Sequence, residues 1–130
     1  MGFDQYHEPP GELPDETRTF ARLCTSLTEE AEAIGWYEQR MAVESDHEAL
    51  AIMGNAQSEE FKHFCMDLEF LLRRTPLWRE IAEGILFVPG AIVAHGEEAE
   101  EAALEGAAER GSPEAGGTSL GIGSLRGAGS

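Results

Sequence analysis

The sequence predicts an all-α protein built on two long helices. Apolar residues recur at steps of three and four from about residue 15 to 87, which is the repeat of an amphipathic helix. Two helix-start signals, one near Ser45 and one at Thr75, divide this region. A chain of 130 residues has room for one small domain. We therefore expect an antiparallel two-helix hairpin followed by a short third helix.

Each start signal has a physical basis. Ser45–Glu48 has the S-x-x-E form of a capping box, in which two side chains satisfy backbone N–H groups of the first turn. Thr75 can cap a third helix from 76 to about 87 that begins with proline, which needs no N–H partner at that position. The expected long helices are 15–43 and 46–74, and the tight turn between them makes them antiparallel neighbours.

The chain divides into four segments by composition. Residues 1–14 are polar and rich in proline, which predicts an extended segment, and the helical domain is expected at 15–95. Glutamate, alanine and then glycine dominate residues 96–118, and such a composition predicts a flexible linker because it buries little apolar surface. Residues 119–130 contain one apolar island within a glycine-rich tail that can bury little apolar surface, so the tail is expected to be disordered when free.

Charge and hydropathy argue against several classes of partner. The chain has 25 acidic and 9 basic residues and a formal net charge of −16, whereas nucleic acids and anionic membranes require a basic face. The longest apolar stretch, 84–94, is about half of the ~20 residues that a membrane helix needs. The first residues lack the basic and apolar parts of a signal peptide. We expect a cytoplasmic protein that binds neither nucleic acid nor membrane.

A carboxylate interrupts the apolar stripe of the first helix. Glu30 occupies the one stripe position between Leu27 and Ile34. An isolated carboxylate there would lose its hydration and would need a cation, a metal or a proton. The other members of the stripe are Phe20, Leu23, Tyr37 and Met41.

The second helix carries a Glu-x-x-His motif, Glu60 to His63. Three residues advance a helix by ~300°, so both side chains project from one side. The motif alone is a weak signal, because it also occurs by chance on solvated helix faces. Glu30 and Glu60 each lie fifteen residues from Ser45, which places both at ~22 Å from the turn at ~1.5 Å per residue. The three side chains are therefore expected to converge, whereas Asp67, near the same face, receives no role.

One hairpin contains half of a di-iron site. Ferritin-like di-iron sites combine four glutamates and two histidines from four helices. A single hairpin also has too small a core to be stable alone. We expect two chains to pair about a two-fold axis into a ferritin-like four-helix bundle that supplies both halves.

Three segments, Glu29–Arg40, Ser58–His63 and Leu68–Arg74, resemble the encapsulated ferritins. The resemblance runs from about residue 6 to 95 and resumes at the C-terminus. It implies that Glu30, Glu60 and His63 bind iron across a two-fold interface, supported by Tyr37. It also implies that dimers form a ring, usually a homodecamer, with ferroxidase activity.

The resemblance extends to two further sets of residues. Glu29, Glu32 and Trp36 correspond to positions near a second site, for calcium or another divalent ion, and near an access route for iron. The tail residues Leu120, Ile122 and Leu125 resemble the peptides that dock cargo to the inner wall of encapsulin shells, where apolar side chains can fill pockets of a partner. The implied location is the lumen of an encapsulin nanocompartment in the cytoplasm.

Two other functions fit the same sequence. A di-iron or di-manganese enzyme that scavenges peroxide would use the same ligands. A non-catalytic helical scaffold, packaged as cargo, would need the tail but not the metal. The two cysteines, Cys24 and Cys65, form no metal-binding spacing and receive no role.

Overall fold

The computed structural model describes residues 5–111, and all its regular structure within that range is helical. This confirms the predicted all-α class. The chain divides into two compact units between Arg74 and Thr75. The predicted docking residues Leu120, Ile122 and Leu125 lie outside the described residues. The elements are a 3-10 turn at Pro10–Glu12 and four α-helices: α1 Asp15–Val43, α2 His47–Arg74, α3 Pro76–Glu83 and α4 Ile92–Arg110.

The first unit contains the hairpin of α1 and α2, which pack against each other. The start of α2 differs from the prediction in its cap. The backbone N–H of Ala49 donates to Asp46 Oδ1 at 2.8 Å, so Asp46 rather than Ser45 caps the helix. A carboxylate next to the first turn also interacts favourably with the helix dipole. In the turn, Glu44 Oε2 accepts from the N–H groups of Ser45 and Asp46 at 3.1 and 3.0 Å.

Gln57 fixes the height of α2 against α1. Its side chain is buried, and Nε2 donates to the backbone carbonyl of Ile34 at 3.1 Å and to Glu38 Oε1 at 3.0 Å. A buried amide needs such partners, so a shift of one helix along the other would be costly. Gln57 precedes Glu60 by three residues and Ile34 follows Glu30 by four. The two bonds therefore set the register one turn away from both glutamates.

The apolar stripe of α1 remains incompletely covered in one chain. No residue of this 29-residue helix is buried. The predicted stripe residues Phe20, Leu23, Leu27, Ile34, Tyr37 and Met41 are all half-buried. On α2, only Gln57, Leu71 and Leu72 are buried. A hairpin with so few buried side chains has little core of its own.

The second unit contains α3 and α4, which pack against each other. Helix α3 begins at Pro76, as predicted, but ends at Glu83, before the predicted 87. Phe87 has a φ of +64°, which an α-helix cannot accommodate. Gly84 allows a close approach to α4, since a Cβ at this position would lie 2.6 Å from the Cβ of Ala99.

Helix α4 occupies much of the segment that the composition predicted to be a flexible linker, residues 96–118. Residues 96–110 are helical. Ala103 and Ala107 lie four residues apart and are 4% and 9% exposed. Alanine is the strongest helix former, and its small side chain lets a helix bury a narrow face, so an alanine- and glutamate-rich segment can be ordered. Arg110 Nη2 donates to Glu80 Oε1 of α3 at 2.8 Å. No helix within residues 5–111 is both long and apolar enough to cross a membrane.

Candidate metal centre

The structure brings Glu30 of α1 together with Glu60 and His63 of α2. One possible ligand atom from each residue lies within 4.8 Å of the others. Within residues 5–111 no other group of three or more acidic, histidine or cysteine side chains has this geometry. All three residues are half-buried, and His63 Nδ1 lies 3.2 Å from Glu60 Oε1. The arrangement can hold a cation through two carboxylates and one imidazole.

Local helix geometry explains this convergence. The three-residue spacing places Glu60 and His63 on one side of α2. Glu30 reaches the same height on α1 because both glutamates lie a similar number of residues from the turn. The bonds of Gln57 then hold the two helices in that register.

Burial makes the Glu30 carboxylate unstable as an isolated anion. Its pKa rises from 4.5 to about 7. Loss of hydration is the largest cause, followed by a hydrogen bond to Asp67 and by the negative charges of Asp67, Glu60 and Glu29. Glu30 Oε2 is inaccessible to solvent and has no hydrogen-bond donor. A proton or a bound cation would satisfy this oxygen.

Asp67, which received no role in the sequence analysis, lies beside Glu30. It follows His63 by four residues, so it lies on the same side of α2. Its carboxyl group is close enough to that of Glu30 to help raise the pKa of Glu30, and its Oδ2 is buried without a donor. The four-residue spacing from His63 indicated in advance that Asp67 shares this side of α2. Its distance from the turn, counted in residues, matched no candidate ligand on α1, so the sequence analysis assigned it no role.

The raised pKa of Glu30 predicts how pH affects the metal-free protein. Between pH 4.5 and about 7, Glu30 keeps its proton in the folded state but has released it in the unfolded state. The contribution of Glu30 to the free energy of unfolding is therefore fully present below pH 4.5 and is lost as the pH rises to about 7. Glu30→Gln should abolish this contribution. We expect the variant to gain free energy of unfolding relative to the wild type across that window, measured by denaturant titration at fixed protein concentration. A difference that is constant with pH would contradict the assignment.

Tyr37 follows Glu30 by seven residues on α1, two helical turns along the apolar stripe. The centroid of its ring lies 5.2 Å from the Arg40 guanidinium carbon. Among residues 5–111 no hydrogen bond joins its hydroxyl to Glu30, Glu60 or His63. Its predicted supporting role stays a prediction.

The residues of the predicted second site follow one another on α1 at spacings of three and four residues, which place Glu29, Glu32 and Trp36 along one side of the helix. Their predicted role stays a prediction. Glu29 and Trp36 are exposed, and Glu32 is half-buried with an Oε1 that lacks a donor. None of them belongs to a three-residue cluster of possible ligands within residues 5–111. Of the two cysteines, Cys24 is half-buried, which raises the pKa of its thiol, and Cys65 is exposed.

Comparison with known proteins identifies the family. Residues 5–89 match the family model described as EncFtn-like. The chain belongs to the EncFtn-like family. An encapsulated ferritin-like protein of Rhodospirillum rubrum is 41% identical over 124 residues, covering 93% of this chain and 87% of the relative. A ferritin-like protein of Thermotoga maritima is 43% identical over 84 residues, covering 65% of this chain and 74% of the relative.

A solved structure shares the fold. The crystal structure of a protein from Nitrosomonas europaea superposes with a TM-score of 0.66 and 39% identity, covering 68% of this chain and 98% of the other. The EncFtn-like match spans all of α1, α2 and α3 and therefore includes Glu30, Glu60, His63 and Asp67. Helix α4 lies beyond that match, whereas the similarity to the Rhodospirillum rubrum protein covers more of the chain.

Proposed function

We propose that this EncFtn-like protein is a ferroxidase that oxidises Fe(II) to Fe(III) at a di-iron site formed between two subunits. The observation that carries the proposal is the convergence of Glu30, Glu60 and His63 within 4.8 Å. Each chain contributes one set, so two chains paired about a two-fold axis supply the four glutamates and two histidines of a ferritin-like site.

The donor set suits iron. Carboxylate oxygens and an imidazole nitrogen bind Fe(II) and leave coordination positions open for an oxidant. The buried Glu30 Oε2 lacks a donor and would be satisfied by a cation. The contact between His63 Nδ1 and Glu60 Oε1, 3.2 Å long, orients the imidazole before iron arrives.

Pairing of two chains is supported by the exposure of α1. Its stripe of apolar side chains is only half-buried in one chain, and burial of that stripe against a second copy would supply the core that one hairpin lacks. The same pairing would place the two sets of Glu30, Glu60 and His63 opposite each other. Dimers are proposed to assemble further into a ring, with a decamer as the expected size.

The proposed reaction treats Fe(II) as the substrate. Glu30, Glu60 and His63 hold it, and each ion loses one electron to the oxidant. The carboxylates favour the harder Fe(III) product. Tyr37 is proposed to support the ligands, and Glu29, Glu32 and Trp36 to form a second site for calcium or another divalent ion. A homologue named as an encapsulated ferritin-like protein supports delivery of Fe(III) inside an encapsulin nanocompartment, with residues 119–130 as the docking peptide.

Metal binding and assembly test this function together. Metal that binds only the paired state favours association by mass action. Added anaerobically, Fe(II) should shift the protein from monomer toward dimer and ring on a sizing column, with about two iron ions per two chains. Identical profiles with and without iron at low protein concentration would contradict a site that spans two chains.

The same preparation distinguishes oxygen from hydrogen peroxide as the oxidant. Admission of oxygen should convert the bound Fe(II) to Fe(III) with measurable oxygen uptake, whereas a peroxide-scavenging enzyme would consume hydrogen peroxide and leave oxygen unused. A non-catalytic scaffold would bind no iron and oxidise none.

A further inference from the structure

Asp67 lies beside the candidate metal centre without being one of its three ligands. It is seven residues after Glu60 and four after His63 on α2. Its carboxyl group neighbours that of Glu30, which comes from the opposite helix. One oxygen of each, Asp67 Oδ2 and Glu30 Oε2, is inaccessible to solvent and has no hydrogen-bond donor.

Two acidic groups in such contact weaken the metal-free fold. Their negative charges repel each other when both groups are ionised, and one oxygen of each is buried without a hydrogen-bond donor. The basic side chains of the second half of α2 are engaged elsewhere: Lys62 pairs with Glu59, Arg73 pairs with Glu69, and Arg74 stacks on Phe70. Among residues 5–111 no ion pair with lysine or arginine involves Glu30 or Asp67. These basic side chains therefore do not neutralise the negative charge of Glu30 and Asp67.

We propose, building on the proposed function, that Asp67 is a positioning residue of the metal centre: its carboxylate holds the Glu30 carboxylate toward Glu60 and His63 and adds negative charge that favours a divalent ion. The ligand atoms that converge within 4.8 Å come from the other three residues, so Asp67 acts through Glu30. The residue thus lowers the stability of the metal-free protein and raises its affinity for metal.

The full-length Asp67→Asn variant separates these two effects. The amide has nearly the shape of the carboxylate, carries no charge and can donate to the unpartnered oxygen of Glu30, where it competes with metal. We expect the metal-free variant to melt a few degrees above the wild type. Its dissociation constant for Co²⁺, used as a probe that does not turn over, should rise by about tenfold or more in calorimetric titration.

Two controls give the test its specificity. Glu59→Gln removes one negative charge from an exposed neighbour on α2 that pairs with Lys62, and it should leave the Co²⁺ affinity unchanged. Asp67→Glu keeps the charge and should recover most of the affinity that Asp67→Asn loses. The visible absorption spectrum of bound Co²⁺ should change in Asp67→Asn, since the spectrum reports the ligand geometry that Glu30 completes, whereas a purely structural role would change only the melting temperature.

Each outcome decides the inference. Weaker Co²⁺ binding, an altered spectrum and a higher melting temperature in Asp67→Asn alone support it. If Asp67→Asn keeps the wild-type affinity for Co²⁺ and the wild-type spectrum, the inference is wrong and the ferroxidase proposal stands. If Glu59→Gln loses as much Co²⁺ affinity as Asp67→Asn, the loss reflects the net charge of the protein and the inference is also wrong. Failure of the wild-type protein to bind Co²⁺ at all overturns both.

Discussion

Replacing Glu30, Glu60 or His63 with alanine should lower the rate of Fe(II) oxidation by at least about 100-fold in each variant. Loss of a residue that merely supports a metal ligand typically costs 10–100-fold in affinity or activity, and loss of a ligand should cost at least as much. Since each chain is proposed to contribute one set to a paired site, a single substitution would remove two ligands from every site. Oxidation is followed by the absorbance of Fe(III) under excess Fe(II).

The fold should survive these changes. Glu30 is a carboxylate that has lost hydration, with one oxygen lacking a donor, so its removal relieves a desolvation cost and should stabilise the metal-free protein. Circular dichroism should show unchanged helical content. Glu59→Ala is the matched control, because it removes an adjacent but exposed carboxylate of α2 and should oxidise iron normally. Near-normal oxidation in all three ligand variants would refute the site.

Deleting residues 119–130 should abolish packaging and leave oxidation unchanged. The deletion removes none of Glu30, Glu60 and His63 and no part of the four described helices. Leu120, Ile122 and Leu125 are the large apolar residues of that segment, and they are proposed to fill pockets on the shell wall. Co-expression with the cognate shell protein, followed by purification of shells and quantification of cargo, should show nearly complete loss of the truncated chain.

Two controls connect packaging to iron storage. Replacing Leu120, Ile122 and Leu125 together by serine keeps the length of the tail and should reproduce the packaging defect. Packaged wild-type protein should support far more stored iron than the free protein, because the proposed pair of hairpins would enclose no cavity for mineral. Packaging of the truncated chain would contradict the docking role of the tail, whatever the outcome at the iron site.

Local features determined most of the candidate site in advance. The bounds of α1 and α2 differ from the predicted ones by at most one residue, because the helical repeat of apolar residues and the tight turn are properties of short segments. The spacing from Glu60 to His63 fixes their common side, and the constant rise per residue places Glu30 at the same height. The convergence of these three residues therefore followed from the sequence.

Only the tertiary structure determined the contacts that depend on how the helices rotate and approach. The meeting of Asp67 with Glu30 requires a particular rotation of α2 about its axis, and the bonds of Gln57 to α1 require a particular side-chain conformation. Neither contact can be predicted by counting residues along one helix. Likewise, composition predicted a linker where α4 forms, because the order of that segment comes from burial of Ala103 and Ala107. Burial is a property of packed helices, and no single segment of sequence specifies it.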